Sequence, residues 1–253
     1  MIEISHLYKS FNGREVLHDI SLIFEQGKTN LIIGQSGSGK TVLMKCLIGL
    51  YTPEKGSILY DNRNVTELNK KERNLISQEM GILFQGSALF DSMTVEENVM
   101  FPLTMFTEKS LQEKQERVNF CLKRVNLENA NSLYPSQISG GMKKRVAIAR
   151  AIALNPKYLF CDEPNSGLDP KTSLIIDQLI YEITQEYNIT TVVNTHDMNS
   201  VMEIGDTVSF IFQGDLYWRG SNKEILDVDN KEVHDFIYAS KFAQEMYNKK
   251  CHK

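Results

Sequence analysis

The spacing of apolar residues near the amino terminus predicts short β-strands. Apolar side chains recur along residues 2–7 and 16–24, as expected of strands separated by turns. The pair Asn12-Gly13 between them is a strong signal for a tight hairpin turn. Residues 31–33 form a short, fully apolar run that is typical of a buried strand.

The same pattern predicts a parallel sheet further along the chain. Residues 158–161 and 190–194 are apolar runs on either side of a helical pattern at about 173–187. Strand, helix and strand in this order predict a parallel sheet with a right-handed crossover. A closing hairpin is expected from the apolar runs 208–212 and 216–218. The predicted fold class is α/β.

The intervening segments predict helices and two more strands. Residues 42–50 are apolar on more than one face, which indicates a helix packed under the sheet, and residues 66–79 show a polar helical pattern. Short strands are expected at 57–60 and 81–84, whereas 87–154 is the most helical stretch.

Composition narrows the class of protein. The chain has 253 residues, of which 42% are hydrophobic and 24% charged, with a net charge of −4. This composition is that of a globular domain and excludes a disordered chain. The slightly acidic balance argues against a nucleic-acid partner. We find no apolar run of the roughly 20 residues that a membrane span needs, and no secretion signal at the amino terminus.

The four cysteines are Cys46, Cys121, Cys161 and Cys251. They form no CxxC pair and have no metal-ligand spacing. We therefore expect reduced thiols in the core of a cytoplasmic protein.

A phosphate-binding loop is the clearest chemical signal. Residues 34–41 read Gly-Gln-Ser-Gly-Ser-Gly-Lys-Thr and match the pattern G-x4-G-K-[ST]. The glycines let backbone N–H groups face a polyphosphate, and the helix beginning there adds its positive end. The strand before the loop and the helix after it favour this interpretation over a flexible Gly/Ser loop. The residues expected to hold the nucleotide are Gly34, Ser36, Gly37, Ser38, Gly39, Lys40 and Thr41, with Lys40 on the outer phosphates and Thr41 on Mg²⁺.

Two carboxylates end the apolar run 158–161. Asp162 is the candidate for holding Mg²⁺, and Glu163 for polarising an attacking water. Taken alone, an Asp-Glu pair at the end of a strand is usually a solvated turn. Because this pair follows a phosphate-binding loop, the catalytic interpretation is favoured over a solvated turn.

Gln85 and His196 also follow predicted strands. Gln85 is a candidate for contacting Mg²⁺ and the water, and His196 for a hydrogen bond to the γ-phosphate. Taken alone, each would more often be a structural residue.

Ser139 is expected to cap a helix whose first N–H groups make an anion site. The alternative is an ordinary cap followed by a solvated basic face at 143–145. Nothing local places Ser139 near residues 34–41.

Together these pieces resemble the nucleotide-binding subunit of ATP-binding cassette (ABC) transporters, over about residues 1–221. The motifs stand in the family's order. They are residues 34–41, Gln85, residues 138–142, residues 158–163, residues 166–169 and His196.

The resemblance implies a P-loop NTPase core with a parallel sheet, an N-terminal antiparallel β subdomain and an inserted helical subdomain at about 87–157. Residues 222–253 would then be a C-terminal helical extension. The implied activity is ATP hydrolysis with Mg²⁺, and Phe11 falls where the family stacks an aromatic ring on adenine.

The resemblance also implies a head-to-tail homodimer that encloses two ATP molecules. Each ATP would be held by the phosphate loop of one subunit and by Ser139, Gly140 and Gly141 of the other, with Asp169 at the dimer seam.

One departure from the commonest family pattern is Met142, where glutamine is usual. The departure concerns a side-chain contact near the nucleotide. The same methionine is a feature of the ATPases of Mla-type phospholipid transporters, which work with MCE-domain proteins in outer-membrane lipid asymmetry. Residues 83–90, 93–99 and 142–154 also resemble that subgroup.

Residues 86–106 crowd apolar side chains into a polar half of the chain. These are Leu89, Phe90, Met93, Val95, Val99, Phe101, Leu103 and Phe106. Core packing accounts for some of them, and exposed ones would form a binding surface. The family places its groove for the coupling helix of a transmembrane permease here. The implied location is the cytoplasmic face of the inner membrane, with the translocation path on another polypeptide.

Other hypotheses stay open. The same mechanics would serve another ABC importer or exporter, or a cell-division complex. A soluble ABC ATPase acting on DNA or ribosomes usually carries a second cassette, a long coiled-coil insertion or zinc cysteines, none of which is visible here. A simple P-loop kinase would leave residues 138–142 and His196 without purpose.

The chain after Asn222 predicts an amphipathic helix. The positions at helical spacing are Val233, Phe236, Ile237 and Ser240. Tyr238, Phe242 and Tyr247 either pack on the chain's own surface or, as in the resembled subgroup, reach across and fasten the dimer.

Overall fold

Two sheets with helices around them make up the structure, a computed structural model that describes residues 1–239. The strands of this part are β1 (Ile2–Phe11), β2 (Arg14–Phe24), β3 (Thr29–Ile33), β4 (Lys55–Tyr60), β5 (Arg63–Asn64), β6 (Met80–Leu83), β7 (Tyr158–Asp162), β8 (Thr190–Asn194), β9 (Thr207–Phe212) and β10 (Asp215–Gly220). The helices are α1 (Lys40–Leu47), α2 (Lys70–Gln78), α3 (Val95–Phe106), α4 (Leu111–Arg124), α5 (Gly140–Ala151), α6 (Pro170–Tyr187), α7 (Met198–Ile204) and α8 (Lys231–Ile237). None of these helices combines the length and apolar character needed to span a membrane.

The first sheet is antiparallel, with strand order β2-β1-β4-β5. Phe11 of β1 pairs with Arg14 of β2 across a two-residue turn. The turn residues Asn12 and Gly13 both have positive φ, 50° and 78°, as a type I′ hairpin requires. The predicted hairpin is confirmed.

The second sheet has strand order β10-β9-β3-β8-β7-β6. All its neighbouring strands run parallel except β10, which forms an antiparallel hairpin with β9. The predicted parallel sheet and closing hairpin are confirmed. The carboxyl ends of β3, β6, β7 and β8 meet at one edge, where open α/β sheets bind ligands.

The second sheet is buried on both faces. In β7, Tyr158 and Phe160 belong to a core between the two sheets that also contains α1, the inter-sheet core. Leu159 and Cys161 point the other way, into a core shared with α3–α6, the helix-side core. Burial on both faces is why these strands read as continuous apolar runs rather than alternating ones.

Three helix starts differ from the apolar pattern, and at two of them a capping side chain sets the start. The first helix starts at Lys40 rather than 42, after Gly39 at φ 106°. The polar helix starts at Lys70 rather than 66, because Asn69 caps it in a reciprocal capping box. The helix predicted from 173 starts at Pro170, because the side chain of Asp169 accepts the N–H of Thr172.

Three of the predicted core thiols, Cys46, Cys121 and Cys161, are buried and unpaired. Burial raises the pKa of the Cys46 thiol to about 12. Cys251 lies outside the described residues.

The predicted tail helix is α8. Val233 and Ile237 are buried, and Phe236 and Tyr238 pack against the helix-side core. Ser240, Phe242 and Tyr247 lie outside the described residues.

Candidate active site

The loop 34–41 links β3 to α1, which brings it to the ligand-binding edge of the second sheet. Gly34 has φ 145°, and a Cβ there would lie 2.1 Å from the carbonyl oxygen of Ile211. A side chain at this position would collide with the β9 backbone, so the loop needs glycine here for both conformation and space. The helix that follows has no side-chain cap at Gly39, which leaves its first N–H groups for an anion.

The side chain of Lys40, the first residue of α1, folds back onto this loop. It is buried, with 6% of its surface exposed, and its ammonium donates to the carbonyls of Gly34 at 2.7 Å and Gln35 at 2.9 Å. Burial lowers the pKa of Lys40, while the nearby charges of Glu163 and Asp162 oppose that shift. A buried cation held by the loop is suited to an anionic ligand.

Asp162 and Thr41 are linked by a residue that the sequence analysis did not identify. Asn194, buried at the end of β8, donates from Nδ2 to Asp162 Oδ1 at 2.5 Å and to Thr41 Oγ1 at 3.4 Å. Carboxylate and hydroxyl oxygens are ligands that Mg²⁺ prefers. The one sequence signal for Asn194 as a site residue is its polar side chain at the end of the apolar run 190–194.

Glu163 and His196 contact each other directly. His196 Nδ1 lies 2.8 Å from Glu163 Oε2. Glu163 has φ 48° and its N–H donates to the carbonyl of Asn194 at 2.8 Å. Such a left-handed backbone is uncommon outside glycine, and strain of this kind is often stored at functional sites.

The structure brings half of the predicted site residues into one cleft of about 760 Å³, a volume within the range of small-ligand sites. Its lining includes Ser36, Gly37, Gly39, Lys40, Thr41, Gln85, Glu163 and His196. Gln85 follows β6, and its side chain donates to Ser166 Oγ at 3.4 Å.

Val16, Phe236 and Ala239 also line this cleft, and sequence reasoning missed all three because each comes from a distant part of the chain. Phe11 lies outside the lining residues. Its ring packs edge-on against Tyr51 with centroids 5.1 Å apart. The adenine contact proposed for Phe11 stays a prediction.

Ser139, Gly140 and Gly141 lie in a second, separate cleft of about 420 Å³, together with Asp169. Ser139 Oγ accepts the N–H of Met142, which confirms the predicted helix cap. A Cβ on Gly141 would lie 2.6 Å from the methyl carbon of Thr172, so α5 and α6 approach closely here. Within one chain these residues do not line the cleft of the phosphate loop.

The apolar stretch 86–106 divides into core and surface. Val95, Val99 and Leu103 are buried, whereas Phe90 is 42% and Phe106 46% exposed. We refer to the exposed side chains Phe84, Phe90, Met105 and Phe106 together as the aromatic surface. Core packing is therefore confirmed for the buried residues, and the binding surface stays a prediction for the exposed ones.

Comparisons with known proteins agree with this geometry. A family model described as "ABC transporter" matches residues 17–166. The chain is 38% identical over 236 residues to the "Probable ribonucleotide transport ATP-binding protein mkl" of Mycobacterium leprae, covering 93% of this chain and 68% of that protein. It is 39% identical over 232 residues to the "Methionine import ATP-binding protein MetN" of Protochlamydia amoebophila, covering 89% and 67% respectively.

A solved structure gives the same result for the fold. It is a dimeric post-hydrolysis state of the ATP-binding cassette MJ0796 bound to ADP and Pi, with a TM-score of 0.80 and 31% identity, covering 88% of this chain and 99% of that one. The chain spans about two thirds of the length of the two curated relatives above.

Proposed function

The chain belongs to the ABC transporter family, and we propose that it drives a phospholipid transporter of the Mla type. Its ATP-binding domain binds and hydrolyses ATP as a subunit of a transport complex. We assign residues 1–221 to the ATPase domain, with a helical subdomain at about 87–157, and residues 222–253 to a C-terminal extension.

One observation carries the proposed chemistry: a phosphate-binding loop, a buried lysine and a carboxylate–imidazole pair share one cleft. Lys40 and the N–H groups of residues 34–41 hold the phosphates of ATP. Glu163 polarises the attacking water as a general base.

His196 orients that base. Its Nδ1 contacts the Glu163 carboxylate at 2.8 Å, and we assign the γ-phosphate contact to its Nε2. Gln85, tethered to Ser166, adds an amide near the water.

Thr41, Asp162 and Gln85 are the residues that would hold Mg²⁺. The fit rests on Asn194, whose amide ties Thr41 and Asp162 together. Within residues 1–239 no group of three or more His, Cys, Asp or Glu gathers as a metal site, which suits a Mg²⁺ that takes most of its remaining ligands from phosphates and water. When bound, the ion would neutralise charge on the phosphates.

The second half of each ATP site comes from a second copy of the chain. Family members form dimers and pair with transmembrane permease subunits. The separate cleft at Ser139, Gly140, Gly141 and Asp169 supports a head-to-tail homodimer in which this corner contacts the partner's ATP, through the Ser139 side chain and the first N–H groups of α5.

A mixed dimer tests this sharing. Ser139→Arg placed in one subunit should impair hydrolysis at the site whose phosphate loop belongs to the other subunit. The matched control is Ser77→Arg, on an exposed turn of α2. Unchanged hydrolysis in the Ser139→Arg mixed dimer would argue against a shared site.

The substrate class rests on Met142 and on residues 83–90, 93–99 and 142–154, which resemble Mla-type ATPases. The names of the curated relatives favour a second candidate, an importer of small solutes such as methionine or ribonucleotides. In both cases we place the chain on the cytoplasmic face of the inner membrane, with the aromatic surface against the permease. In the first case an MCE-domain protein joins the complex.

Co-purification separates the two candidates. The tagged full chain is extracted in detergent, and its partners and bound lipids are identified by mass spectrometry. A permease with an MCE-domain protein and phospholipid supports the first candidate, and a solute-import permease supports the second. Phe106→Glu should weaken capture of the permease, whereas Leu75→Glu, at an exposed apolar residue on α2, should not.

A further inference from the structure

Lys144, in the second turn of α5, is a buried cation. It lies in the basic run 143–145, for which a solvated face is the alternative interpretation given above, but only 4% of its surface is exposed. Within residues 1–239 it has no carboxylate at ion-pair distance; its ammonium instead donates to the carbonyls of Gln85 at 2.5 Å and Glu163 at 3.4 Å. Burying a charged group costs free energy unless hydrogen bonds compensate. The two carbonyls are the partners that compensate for the burial of this ammonium.

The two carbonyls belong to Gln85 and Glu163, the two residues that the proposed function assigns to the attacking water. Glu163 is fixed at both ends of its residue, since its N–H donates to Asn194 and its carbonyl accepts from Lys144. Its backbone is left-handed, at φ 48°. A conformation of this kind persists only where surrounding contacts hold it.

A second cation of the same helix holds the next residues of the Gln85 loop. Arg150 donates to the carbonyls of Ser87 at 2.8 Å and Ala88 at 2.7 Å. Both residues are left-handed, at φ 63° and 47°. Thus α5 holds residues 85–88 at three peptide groups, and Lys144 alone also reaches Glu163.

We propose that Lys144 is a positioning residue for ATP hydrolysis, which sets the backbone of Gln85 and Glu163 from the helix that begins at the Ser139 corner. The inference rests on the roles given above to Gln85 and Glu163. The same helix, α5, thus carries both the residues proposed to contact the partner's ATP and the ammonium that contacts the chain's own site.

The test is Lys144→Met in the full chain. Methionine fills nearly the same volume and removes the donors. Misplaced catalytic groups lower the rate more than the binding of substrate, so kcat should fall at least about tenfold while the Kd for ATP stays within about twofold. The melting temperature should not fall. The control is Lys143→Met, the same change on a half-buried neighbour. Within residues 1–239 the Lys143 side chain makes no hydrogen bond or ion pair, and its backbone N–H, which the substitution keeps, donates to Ser139.

Three results would overturn the proposal. A kcat for Lys144→Met equal to that of Lys143→Met excludes a positioning role. A parallel loss of ATP affinity, kcat and melting temperature indicates a merely structural residue. If Lys144→Met does not fold, Lys144→Gln, which keeps an amide donor on a shorter side chain, should show the same separation of kcat from Kd, and its absence excludes the role.

Glu163→Gln in the same assay distinguishes failure of the proposed function from failure of the inference about Lys144. If Glu163→Gln hydrolyses ATP normally, the proposed base is wrong and the role of Lys144 falls with it. If Glu163→Gln is inactive but Lys144→Met matches its control, only the inference about Lys144 fails.

Discussion

The carboxylate of Asp177 accepts a hydrogen bond from the Ser200 hydroxyl at 2.8 Å, in the interior between α6 and α7. Asn165, in the loop after Glu163, donates to the same hydroxyl at 3.0 Å. These three side chains connect the loop behind the proposed base with the helix that follows His196. Burial raises the pKa of Asp177 to about 6, and the negative charges of Asp197 and Glu203 add to the rise, while hydrogen bonds from Ser200 and Asn165 oppose it.

The raised pKa of Asp177 predicts that stability falls as the pH rises. The unfolded chain loses this proton near its ordinary value of 3.8 and the folded chain only near 6, so the free energy of unfolding decreases across that window and levels off above it. Between pH 5 and 7.5 the loss from this group is about 1.4 kcal/mol. Urea unfolding at both pH values should show this loss in the wild type and not in Asp177→Asn.

Exposed Asp91 supplies the control for that measurement. Asp91→Asn should keep the wild-type pH dependence. The same pH dependence in Asp177→Asn and in the wild type would mean that Asp177 does not titrate in this window.

Lys40→Ala should lose ATP binding. The substitution removes the cation aimed at the phosphates and both hydrogen bonds to the loop carbonyls. A charge-assisted contact of about 1.5–3 kcal/mol corresponds to an affinity about tenfold to a hundredfold weaker. Equilibrium dialysis with labelled ATP measures the change, with Lys28→Ala, at a partly exposed lysine paired with Glu25, as the control. Near-normal affinity would overturn the assignment of the loop.

Glu163→Gln should bind ATP and hydrolyse it at least about a hundredfold more slowly, the lower range for loss of a general base. Because hydrolysis is what releases the closed state, the variant should also form a dimer with ATP. Light scattering measures the dimer and phosphate release measures turnover. Glu182→Gln, on the exposed side of α6 and paired with Arg124, should behave as the wild type. A persistent monomer would count against the shared site.

Truncation after residue 225 should destabilise the fold. It removes Val233 and Ile237, which are buried in the helix-side core, and loss of a large buried side chain costs about 2–5 kcal/mol. Urea unfolding of this chain is compared with a chain truncated after residue 239, which keeps both side chains. Equal unfolding free energies would show that α8 contributes nothing.

The chain truncated after residue 239 also tests the idea that the tail fastens the dimer. That idea concerns residues such as Phe242 and Tyr247. Normal assembly of this chain with its permease would exclude it.

Local patterns were enough to predict the strands and the phosphate loop. The hairpin at Asn12-Gly13 depends on two adjacent residues that tolerate positive φ. The parallel sheet follows from apolar runs at β7 and β8, which are short because both of their faces are buried. Each of these features is determined by a few neighbouring residues in the sequence.

Contacts between distant segments could not be predicted in the same way. Asn194 and Lys144 act through partners on other elements, and nothing in the neighbouring sequence identifies those partners. The burial of Lys144 could not be predicted either, because charge alone favours exposure. Helix starts shifted for a different reason, since caps such as Asn69 and Asp169 override the apolar period.

Burial of both faces of the central sheet has a consequence for how the molecule unfolds. In β3, Ile32 belongs to the inter-sheet core while Leu31 and Ile33 belong to the helix-side core. The helices share the helix-side core with the second sheet. Unfolding of these helices would therefore expose one face of the strands whose other face packs against the first sheet. Denaturation should therefore proceed as one cooperative transition, with fluorescence and far-UV circular dichroism giving the same midpoint.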